Sequence, residues 1–260
     1  MVLFFDIDGT LWNYKNEIPE STIKGIRKAR SNGHKCFINT GRARSFVYNK
    51  ELLGIGFDGI VTACGTMIEY NGDVVYNRLI PKDEAIRTME TIRKYNFKPI
   101  LEGPEYLYME ASDFEDDMYG KKVMEEMGDH LRGIDAEWGN WEIQKLSCKT
   151  DVPIEDRDKC FEELSDLYDF MIHSDTVVEM VPKGFNKGTG IDRVCEILGE
   201  KIENTFAFGD SINDKEMLLA AGVGVAMGET YHDMGQYADY VTTAMEKDGI
   251  YNALKHFEIV

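Results

Sequence analysis

Two carboxylates stand two residues apart near the start of the chain, directly after a short apolar segment. The segment is Val2-Leu3-Phe4-Phe5, and the acids that follow it are Asp6 and Asp8, with Gly9 next. A continuous apolar run of this length, bounded by Asp and Gly, predicts a strand buried on both faces of a parallel sheet. Gly9 permits a sharp turn there. Two acids this close can divide the work of a hydrolysis, because one can attack as an ionised nucleophile while the other exchanges a proton with the leaving group.

Residues 6–10 also allow two structural interpretations. A capped turn would account for the acids without any chemistry. A calcium-binding loop is suggested because Glu17 is the twelfth residue counted from Asp6. Such a loop requires glycine where Leu11 stands, and it follows a helix, whereas a strand is predicted before Asp6. The calcium loop is therefore rejected, and the capped turn stays open on this motif alone.

A second candidate cluster, Thr40-Gly41-Arg42, follows the predicted strand 35–39. It is predicted to open a helix that runs to about residue 53. A hydroxyl group and backbone N–H groups at the start of a helix can bind a phosphate group. Taken alone, a helix cap is an equally good interpretation of Thr40, and Arg42 could equally lie on the surface.

Lys187 and the segment Gly209-Asp210-Ser211-Ile212-Asn213-Asp214 provide two more candidates. Lys187 is predicted to begin a helix, where the macrodipole disfavours a cation, so a task such as neutralising phosphate is indicated. The segment 209–214 is a predicted strand-to-helix turn rich in oxygen ligands. Asp210 is expected to bind a metal ion directly, and Asn213 and Asp214 to hold metal-bound water or to orient Lys187. A capped helix with an acidic first turn is the competing interpretation.

These candidates are far apart in sequence, yet the acids and Thr40 each follow a predicted strand. In open parallel sheets, ligands bind in the crevice beyond the carboxyl ends of the strands, so these side chains should meet at one edge. Hard oxygen ligands with few protein contacts suit Mg²⁺, which keeps several of its waters. We therefore expect a Mg²⁺ site formed by Asp6, Asp8, Asp210 and Asp214.

The elements that position these residues follow a βαβ rhythm that is interrupted once. The rhythm runs from the N-terminus to about residue 81 and resumes at residue 186. Between them the pattern changes to helices alternating with paired strands. The sequence therefore predicts an α/β fold, a doubly wound parallel sheet formed by residues 1–81 and 184–260, with an inserted α+β domain at residues 82–183.

Composition narrows the class of protein. The chain has 260 residues, 43% of them apolar, which is enough to bury a sizeable core. Its formal net charge of −18 argues against nucleic acid and anionic membranes as partners. There is no apolar stretch of about 18 residues, and the first residues lack the pattern of a signal peptide. Five cysteines without a CxxC pair indicate buried free thiols, and we expect a cytoplasmic protein.

Taken together and in this order, the four motifs resemble those of the haloacid dehalogenase-like superfamily of phosphohydrolases. The first motif is similar to residues 6–10, the second to Thr40, the third to Lys187 and the fourth to residues 209–214. The insertion between the second and third motifs resembles a C2-type cap. Residues 225–228, 238–242 and 248–250 are similar to the Cof-type subfamily, although Cys64-Gly65 stands where that subfamily often has Asn-Gly.

The resemblance implies a mechanism. Asp6 would attack phosphorus and form an aspartyl-phosphate, and Asp8 would protonate the leaving alcohol and then activate water. Mg²⁺ would bridge Asp6, the phosphate and Asp210, with the backbone carbonyl of Asp8 as a further ligand. The residues expected to be catalytic are Asp6, Asp8, Thr40 and Lys187. The residues expected to bind the substrate are Thr40, Gly41, Arg42, Lys187 and Asn213.

The expected substrate is a small phosphorylated metabolite, with sugar phosphates favoured. A phosphosugar mutase is an alternative, because phosphomannomutases share this architecture and length. A non-enzymatic sensor of phosphorylated metabolites is another, but a missing nucleophile or acid would be its signature, and Asp6, Asp8, Lys187 and Asp210 are all present. The sequence does not predict the oligomeric state or the cap residues that select the substrate.

Overall fold

The computed structural model describes residues 1–174, 176–228 and 233–260, without the side chain of Tyr119. In chain order the strands are β1 Val2–Phe5, β2 Lys35–Asn39, β3 Gly59–Thr62, β4 Met67–Tyr70, β5 Asp73–Asn77, β6 Lys98–Glu102, β7 Leu107–Met109, β8 Leu131–Arg132, β9 Lys145–Lys149, β10 Tyr168–Ser174, β11 Val177–Pro182, β12 Thr205–Gly209, β13 Val223–Ala226 and β14 Tyr240–Val241. The α-helices are α1 Glu20–Ser31, α2 Lys50–Leu53, α3 Lys82–Lys94, α4 Met118–Met127, α5 Ile154–Leu164, α6 Lys187–Leu198, α7 Lys215–Ala220 and α8 Gly249–His256.

Contacts divide the chain into two compact units. The first comprises Met1–Gly41, Tyr48–Asn77 and Phe185–Val260, and the second comprises Arg42–Val47 and Arg78–Gly184. The first unit contains an eight-stranded sheet in the order β14-β13-β12-β1-β2-β3-β4-β5. Each neighbouring pair from β14–β13 to β2–β3 is parallel, whereas the pairs β3–β4 and β4–β5 are antiparallel. The parallel pairing of β1 with β12 places residues about 200 positions apart in the sequence side by side.

Helices cover both faces of this sheet, as the fold prediction requires. Val2 and Phe4 belong to an apolar cluster that includes Ile191 of α6 and Met217 of α7. Their neighbours Leu3 and Phe5 point to the opposite face, because successive side chains of a strand alternate. Cys36 of β2 likewise faces α1, with its Sγ 4.0 Å from the carbonyl oxygen of Ile26. The doubly wound α/β prediction is confirmed.

The second unit contains a six-stranded sheet in the order β10-β11-β9-β6-β7-β8, antiparallel except for the pair β7–β8. Helices α3 and α5 cover one face of it with apolar side chains, among them Met89, Ile92 and Leu164. Lys145 is buried between Glu179 and Glu102, and its Nζ lies 3.4 Å from Oε2 of Glu102.

One helix prediction is wrong. The sequence predicts a helix from Thr40 to about residue 53, but the structure has a bend at Gly41, a single 3₁₀ turn at Arg44–Phe46 and then the one-turn helix α2. The break has a local cause. Asn49 is extended and its side chain accepts hydrogen bonds from the backbone N–H groups of residues 51 and 52, so it caps a new helix rather than continuing an old one.

Two predictions from the composition concern the cysteines and membrane-spanning helices. All five cysteines are buried free thiols, as predicted, and burial raises the pKa of Cys36 to about 12. Within the described residues, no helix combines the length and the apolar character that crossing a bilayer requires.

Candidate active site

Asp6 is positioned by the ladder between β1 and β12. The two strands pair in parallel, with Phe5 opposite Phe208, and the N–H of Asp6 donates to the carbonyl oxygen of Phe208 at 3.0 Å. Asp210 follows Gly209 at the end of the partner strand. Two acids about 200 residues apart therefore leave the sheet at the same edge, as the sequence predicts.

Lys187 is the first residue of α6, and its side chain is 2% exposed. Asn186 caps this helix, since its side chain accepts from the N–H of Thr189 and the Thr189 hydroxyl accepts in return. Lys187 Nζ donates to Oδ1 of Asp6 at 2.7 Å and to Oδ1 of Asp214 at 2.6 Å. The ammonium group is thus held between two carboxylates.

Two further contacts hold Lys187 in place. Its Nζ lies 3.3 Å from Oδ1 of Asn213. Its carbonyl oxygen accepts a hydrogen bond of 2.8 Å from Nδ2 of the buried Asn39 in β2. The lysine is therefore positioned at both its main chain and its side chain.

Asp214 is fully buried and is bonded through both of its oxygens. Oδ1 accepts from Lys187, and Oδ2 accepts from the backbone N–H groups of Asp210 and Ser211 at 3.0 and 3.1 Å. These contacts order the turn that carries Asp210. An added Cβ on Gly209 would lie 2.5 Å from Cβ of Asp214, so the turn depends on glycine at that position.

Asp210 is held against the loop that follows Asp6. Thr10 Oγ1 donates to Oδ1 of Asp210 at 3.0 Å. Gly9 has a φ of +78°, and a Cβ on it would lie 2.3 Å from Oδ2 of Asp210. Glycine is required there for both reasons, because the left-handed backbone disfavours a side chain and the carboxylate fills the space.

Asp6, Asp210 and Asp214 form a cluster that could hold a metal ion. Each offers one carboxylate oxygen, and the three oxygens lie within 4.8 Å of one another. An all-oxygen donor set with few protein ligands fits a hard divalent cation that retains water. Since Asp214 already accepts from Lys187 and from two N–H groups, Asp6 and Asp210 are the better placed for direct ligation.

The shifted pKa values of Asp6, Asp210 and Lys187 indicate a site with excess negative charge, which a bound cation would offset. Burial raises the pKa of Asp6 well above its ordinary value, repulsion from Asp214 adds to this, and Lys187 opposes it. Burial and Asp214 raise the pKa of Asp210 to about 7, against the hydrogen bond from Thr10. Burial alone would lower the pKa of Lys187, but the attraction of Asp214 and Asp6 outweighs it and the pKa lies above its ordinary value.

Asp8 lies outside this cluster and is exposed. Its Oδ1 accepts a hydrogen bond of 2.9 Å from Nε1 of Trp12. The N–H of Gly9 donates to the carbonyl oxygen of Trp12 at 2.9 Å, which closes a tight loop around the acid. Asp8 opens into a cleft of about 640 Å³ that Asp210 also lines. An acid in this position can exchange protons with a group in the cleft.

The Thr40 cluster is divided between the two units. Thr40 is buried in the first unit, where its N–H donates to the carbonyl oxygen of Val61 and its own carbonyl accepts from the N–H of Cys64. Gly41 ends that segment of the first unit, and Arg42 belongs to the second. Cys64 is buried and has a φ of 55°, in the left-handed region that disfavours residues with a side chain.

Sequence reasoning missed three residues that position the site. Thr10 fixes Asp210, Trp12 fixes Asp8, and Asn39 fixes the main chain of Lys187. Thr10 stands in the motif itself and could have been identified as a partner. The roles of Trp12 and Asn39 depend on contacts that the spacing of the sequence does not reveal.

The fold and the site define a phosphate-ester hydrolase with an α/β core and an acidic site at the carboxyl edge of its sheet. The model of the haloacid dehalogenase-like hydrolase family matches residues 3–254. This protein belongs to that family, and it is a phosphatase.

Curated relatives and solved structures agree with this membership. The chain is 29% identical to the 5-amino-6-(5-phospho-D-ribitylamino)uracil phosphatase YcsE of Bacillus subtilis (strain 168), over 98% of this chain and 95% of that protein. It is 27% identical to the phosphoglycolate phosphatase of Methanobrevibacter smithii, over 97% of this chain and 96% of that protein. Among solved structures, the subclass IIB sugar phosphatase BT4131 is similar, with a TM-score of 0.80, 28% identity and coverage of 100% of this chain and 99% of that one.

Proposed function

We propose that this protein is a Mg²⁺-dependent phosphatase of small phosphorylated metabolites that works through an aspartyl-phosphate on Asp6. The observation that supports this most directly is the contact of Lys187 with both Asp6 and Asp214, beside Asp210. A buried nucleophile, a cation and a cluster of oxygen ligands are brought to one sheet edge from three separate parts of the chain. That combination suits transfer of a phosphoryl group, which depends on positioning and charge stabilisation.

In the first step, a carboxylate oxygen of Asp6 attacks phosphorus. The bond from Asp6 to phosphorus forms while the bond from phosphorus to the alcohol oxygen breaks, and Asp8 gives its proton to that oxygen. Lys187 holds Asp6 in one orientation and offsets its charge as the phosphate approaches. The hydrogen bond from Trp12 orients the Asp8 carboxyl group for the proton transfer.

In the second step, the aspartyl-phosphate is hydrolysed. Asp8, now ionised, takes a proton from a water molecule that attacks phosphorus, and the bond from phosphorus to Asp6 breaks. Phosphate leaves and both carboxyl groups return to their starting states. One acid thus serves both steps, because it is protonated in the first and ionised in the second.

Asp6 and Asp210 would hold the Mg²⁺ directly, with the backbone carbonyl of Asp8 as a further ligand and Asp214 acting through water. The ion would supply positive charge that lets an anionic ester approach an ionised carboxylate. The charges of the described residues support the need for a cation, since four aspartates and one lysine interact at this site. We propose further that Thr40, Gly41, Arg42, Lys187 and Asn213 bind the phosphoryl oxygens.

We propose that residues 82–183 form the family's cap and select the alcohol part of the substrate, with residues 1–81 and 184–260 as the catalytic core. The relatives act on different alcohols, since YcsE is named for a ribitylamino uracil ester and the archaeal relative for phosphoglycolate. The neighbour BT4131 is named a sugar phosphatase. We favour sugar phosphates for this chain. A cytoplasmic location, inferred from the sequence, stays a prediction.

Hydrolysis of p-nitrophenyl phosphate tests the proposal. The protein is stripped with EDTA and assayed with and without Mg²⁺, as wild type, as Asp6→Asn and as Asp73→Asn. Asp73 is an exposed aspartate at the start of β5, so its variant controls for the loss of one negative charge. We expect turnover that requires Mg²⁺, is retained in Asp73→Asn and falls by on the order of 10⁴-fold in Asp6→Asn.

Intact mass spectrometry of acid-quenched reactions provides a second readout. Wild type should gain the mass of one phosphoryl group during turnover, and peptide mapping should place it on Asp6. Turnover that persists after EDTA, or a phosphoryl group on another residue, would show that the proposed mechanism is wrong.

A further inference from the structure

The cleft beside Asp8 has an acidic wall that includes one carboxylate without a role in the proposed chemistry. It is lined by Asp8, Asp210, Tyr14, Met245 and Glu246, among others, all of them in the first unit. Of the lining residues that the structure describes, three carry a charge, namely Asp8, Asp210 and Glu246, and all three are carboxylates. Asp8 and Asp210 have roles in the proposed reaction, whereas Glu246 has none.

The position of the proposed acid shows what this cleft must contain. Asp8 has to reach the oxygen of the leaving alcohol, so the alcohol must lie on the side to which Asp8 is exposed. That side is the cleft, whose volume of about 640 Å³ exceeds the needs of a phosphate group alone. We therefore expect the lining residues that have no part in the reaction to face the alcohol rather than the phosphoryl group.

Glu246 is carried on a rigid turn. The N–H groups of Lys247 and Gly249 both donate to the carbonyl oxygen of Ala244, at 2.9 and 3.1 Å. The hydroxyl of Thr243 donates to the carbonyl oxygen of Lys247 at 2.7 Å. These three hydrogen bonds order the backbone of the turn and so keep the negative charge of Glu246 at this side of the cleft.

Tyr14 stands on the other loop of the cleft. Tyr14 is 87% exposed, whereas tyrosine is on average partly buried in folded proteins. The loop is ordered by Asn13, whose Oδ1 accepts from the N–H groups of Lys15 and Glu17 at 2.9 and 3.0 Å. An exposed ring on the wall of a cleft offers an apolar face to a sugar or another ring.

We propose that Glu246 is a specificity-determining residue, which disfavours phosphate esters whose alcohol carries a second negative charge and favours neutral, polyhydroxylated alcohols. Two properties of a carboxylate explain this preference. A carboxylate repels an anionic alcohol and accepts hydrogen bonds from hydroxyl groups. This inference rests on the proposed function, since it assigns the alcohol to the cleft through the role of Asp8.

A pair of substrates that differ in one group tests the inference. Glycerol 3-phosphate carries a hydroxymethyl group at the position where 3-phosphoglycerate carries a carboxylate. The measured quantity is the ratio of kcat/KM for 3-phosphoglycerate to that for glycerol 3-phosphate, so a general loss of activity cancels. Both compounds are also measured as competitive inhibitors of p-nitrophenyl phosphate hydrolysis, so that slow turnover does not conceal binding.

The variants are Glu246→Gln, Glu246→Lys and, as a control, Glu196→Lys. Glu196 is an exposed glutamate of α6 that is not among the residues lining the cleft, and its variant changes the net charge equally. For charges about 8 Å apart in a water-like medium, the ratio should rise about twofold in Glu246→Gln and about fivefold in Glu246→Lys. Glu196→Lys should leave it unchanged, and about 0.5 M NaCl should reduce the effect.

The outcomes separate the inference from the proposed function. A ratio that stays constant in both Glu246 variants, or that rises equally in Glu196→Lys, would overturn the assignment of Glu246 even if wild type is an active phosphatase. Wild type that fails to hydrolyse p-nitrophenyl phosphate with Mg²⁺ would overturn the proposed function itself.

Discussion

Replacing Asp6 with asparagine should lower turnover by on the order of 10⁴-fold and, in metal-free buffer, make the protein more stable. Asp6 is 3% exposed and shares its surroundings with Asp214, Asp210 and Asp8. Its raised pKa means that the folded state disfavours the ionised carboxylate, despite the contact with Lys187. A neutral side chain of the same shape removes that penalty, so the expected gain in stability comes from the group that performs the reaction.

The magnitude follows from two opposing contributions. Asparagine removes the cost of burying an ionised carboxylate and the repulsion from Asp214, Asp210 and Asp8, which together hold the pKa of Asp6 above its ordinary value. Asparagine still accepts a hydrogen bond from Lys187, but the loss of the charge on its acceptor costs about 1 kcal/mol. We expect the first contribution to be the larger, so the thermal midpoint of Asp6→Asn should lie above that of wild type. For a chain of this size, each kcal/mol of net gain corresponds to a rise of about 2–4 °C.

The pH dependence has a definite sign. A carboxyl group with a raised pKa in the folded state stabilises the fold fully at pH values below its unfolded pKa, and this contribution is lost as the pH rises through the folded-state pKa. Wild type should therefore lose stability relative to Asp6→Asn as the pH rises above about 4. The difference in midpoint between the two proteins should grow from pH 5 to pH 8.

Thermal unfolding followed by circular dichroism, with EDTA present, measures this difference, and Asp73→Asn is the control. Addition of Mg²⁺ should narrow the gap, because wild type gains the free energy of binding the ion while the variant has lost a ligand. A midpoint of Asp6→Asn that is equal to or below that of wild type in EDTA would refute the reasoning. A gap that shrinks as the pH rises would also refute it.

Two substitutions test the loop that follows Asp6. Gly9→Ala places a methyl group where Oδ2 of Asp210 lies. The affinity for Mg²⁺, measured by titrating activity with the ion, should therefore fall at least about tenfold. Gly33→Ala is the control and should not change this affinity. Gly33 has a similarly positive φ of +90°, and a Cβ there would meet no atom within 4 Å, so equal effects of the two would contradict the proposed clash. Trp12→Phe removes the hydrogen bond to Asp8 and should lower kcat about tenfold for alkyl phosphates but less for p-nitrophenyl phosphate, whose leaving group needs little protonation. Equal losses on both substrates would show that Trp12 does not act through the acid.

The parts of the fold that the sequence predicts are those encoded by short local patterns. Val2–Phe5 is fully buried because an apolar run without alternation suits a central parallel strand. The dipeptide Asn71-Gly72 turns β4 into β5 with φ values of 53° and 90°, as its residue types require. Lys187 begins α6, as predicted, and a lysine at that end of a helix is unfavourable, which indicates a functional role from the sequence alone.

The parts that the sequence does not predict depend on competition or on distant contacts. The expected helix at Thr40 failed because Asn49 offers its side chain to the backbone and starts a new helix instead. The partner of Asp8 proved to be Trp12, an aromatic residue whose indole N–H is easily overlooked beside so many carboxylates. That Asp214 is bonded through both oxygens could not be foreseen either, because it depends on the exact turn geometry at residues 209–214.

The site is a set of placements that are each unfavourable to a folded protein without ligands. Lys187 is buried at the end of a helix that repels cations, and Asp6 is buried among other carboxylates. The contact between them offsets these costs in part, but the cluster that includes Asp210 keeps an excess of negative charge. A divalent cation satisfies the carboxylates, and an anionic ester satisfies the lysine and the cation together. The same imbalance that predicts a stabilising effect of Asp6→Asn would therefore prepare the site for a metal ion and a phosphate group at once.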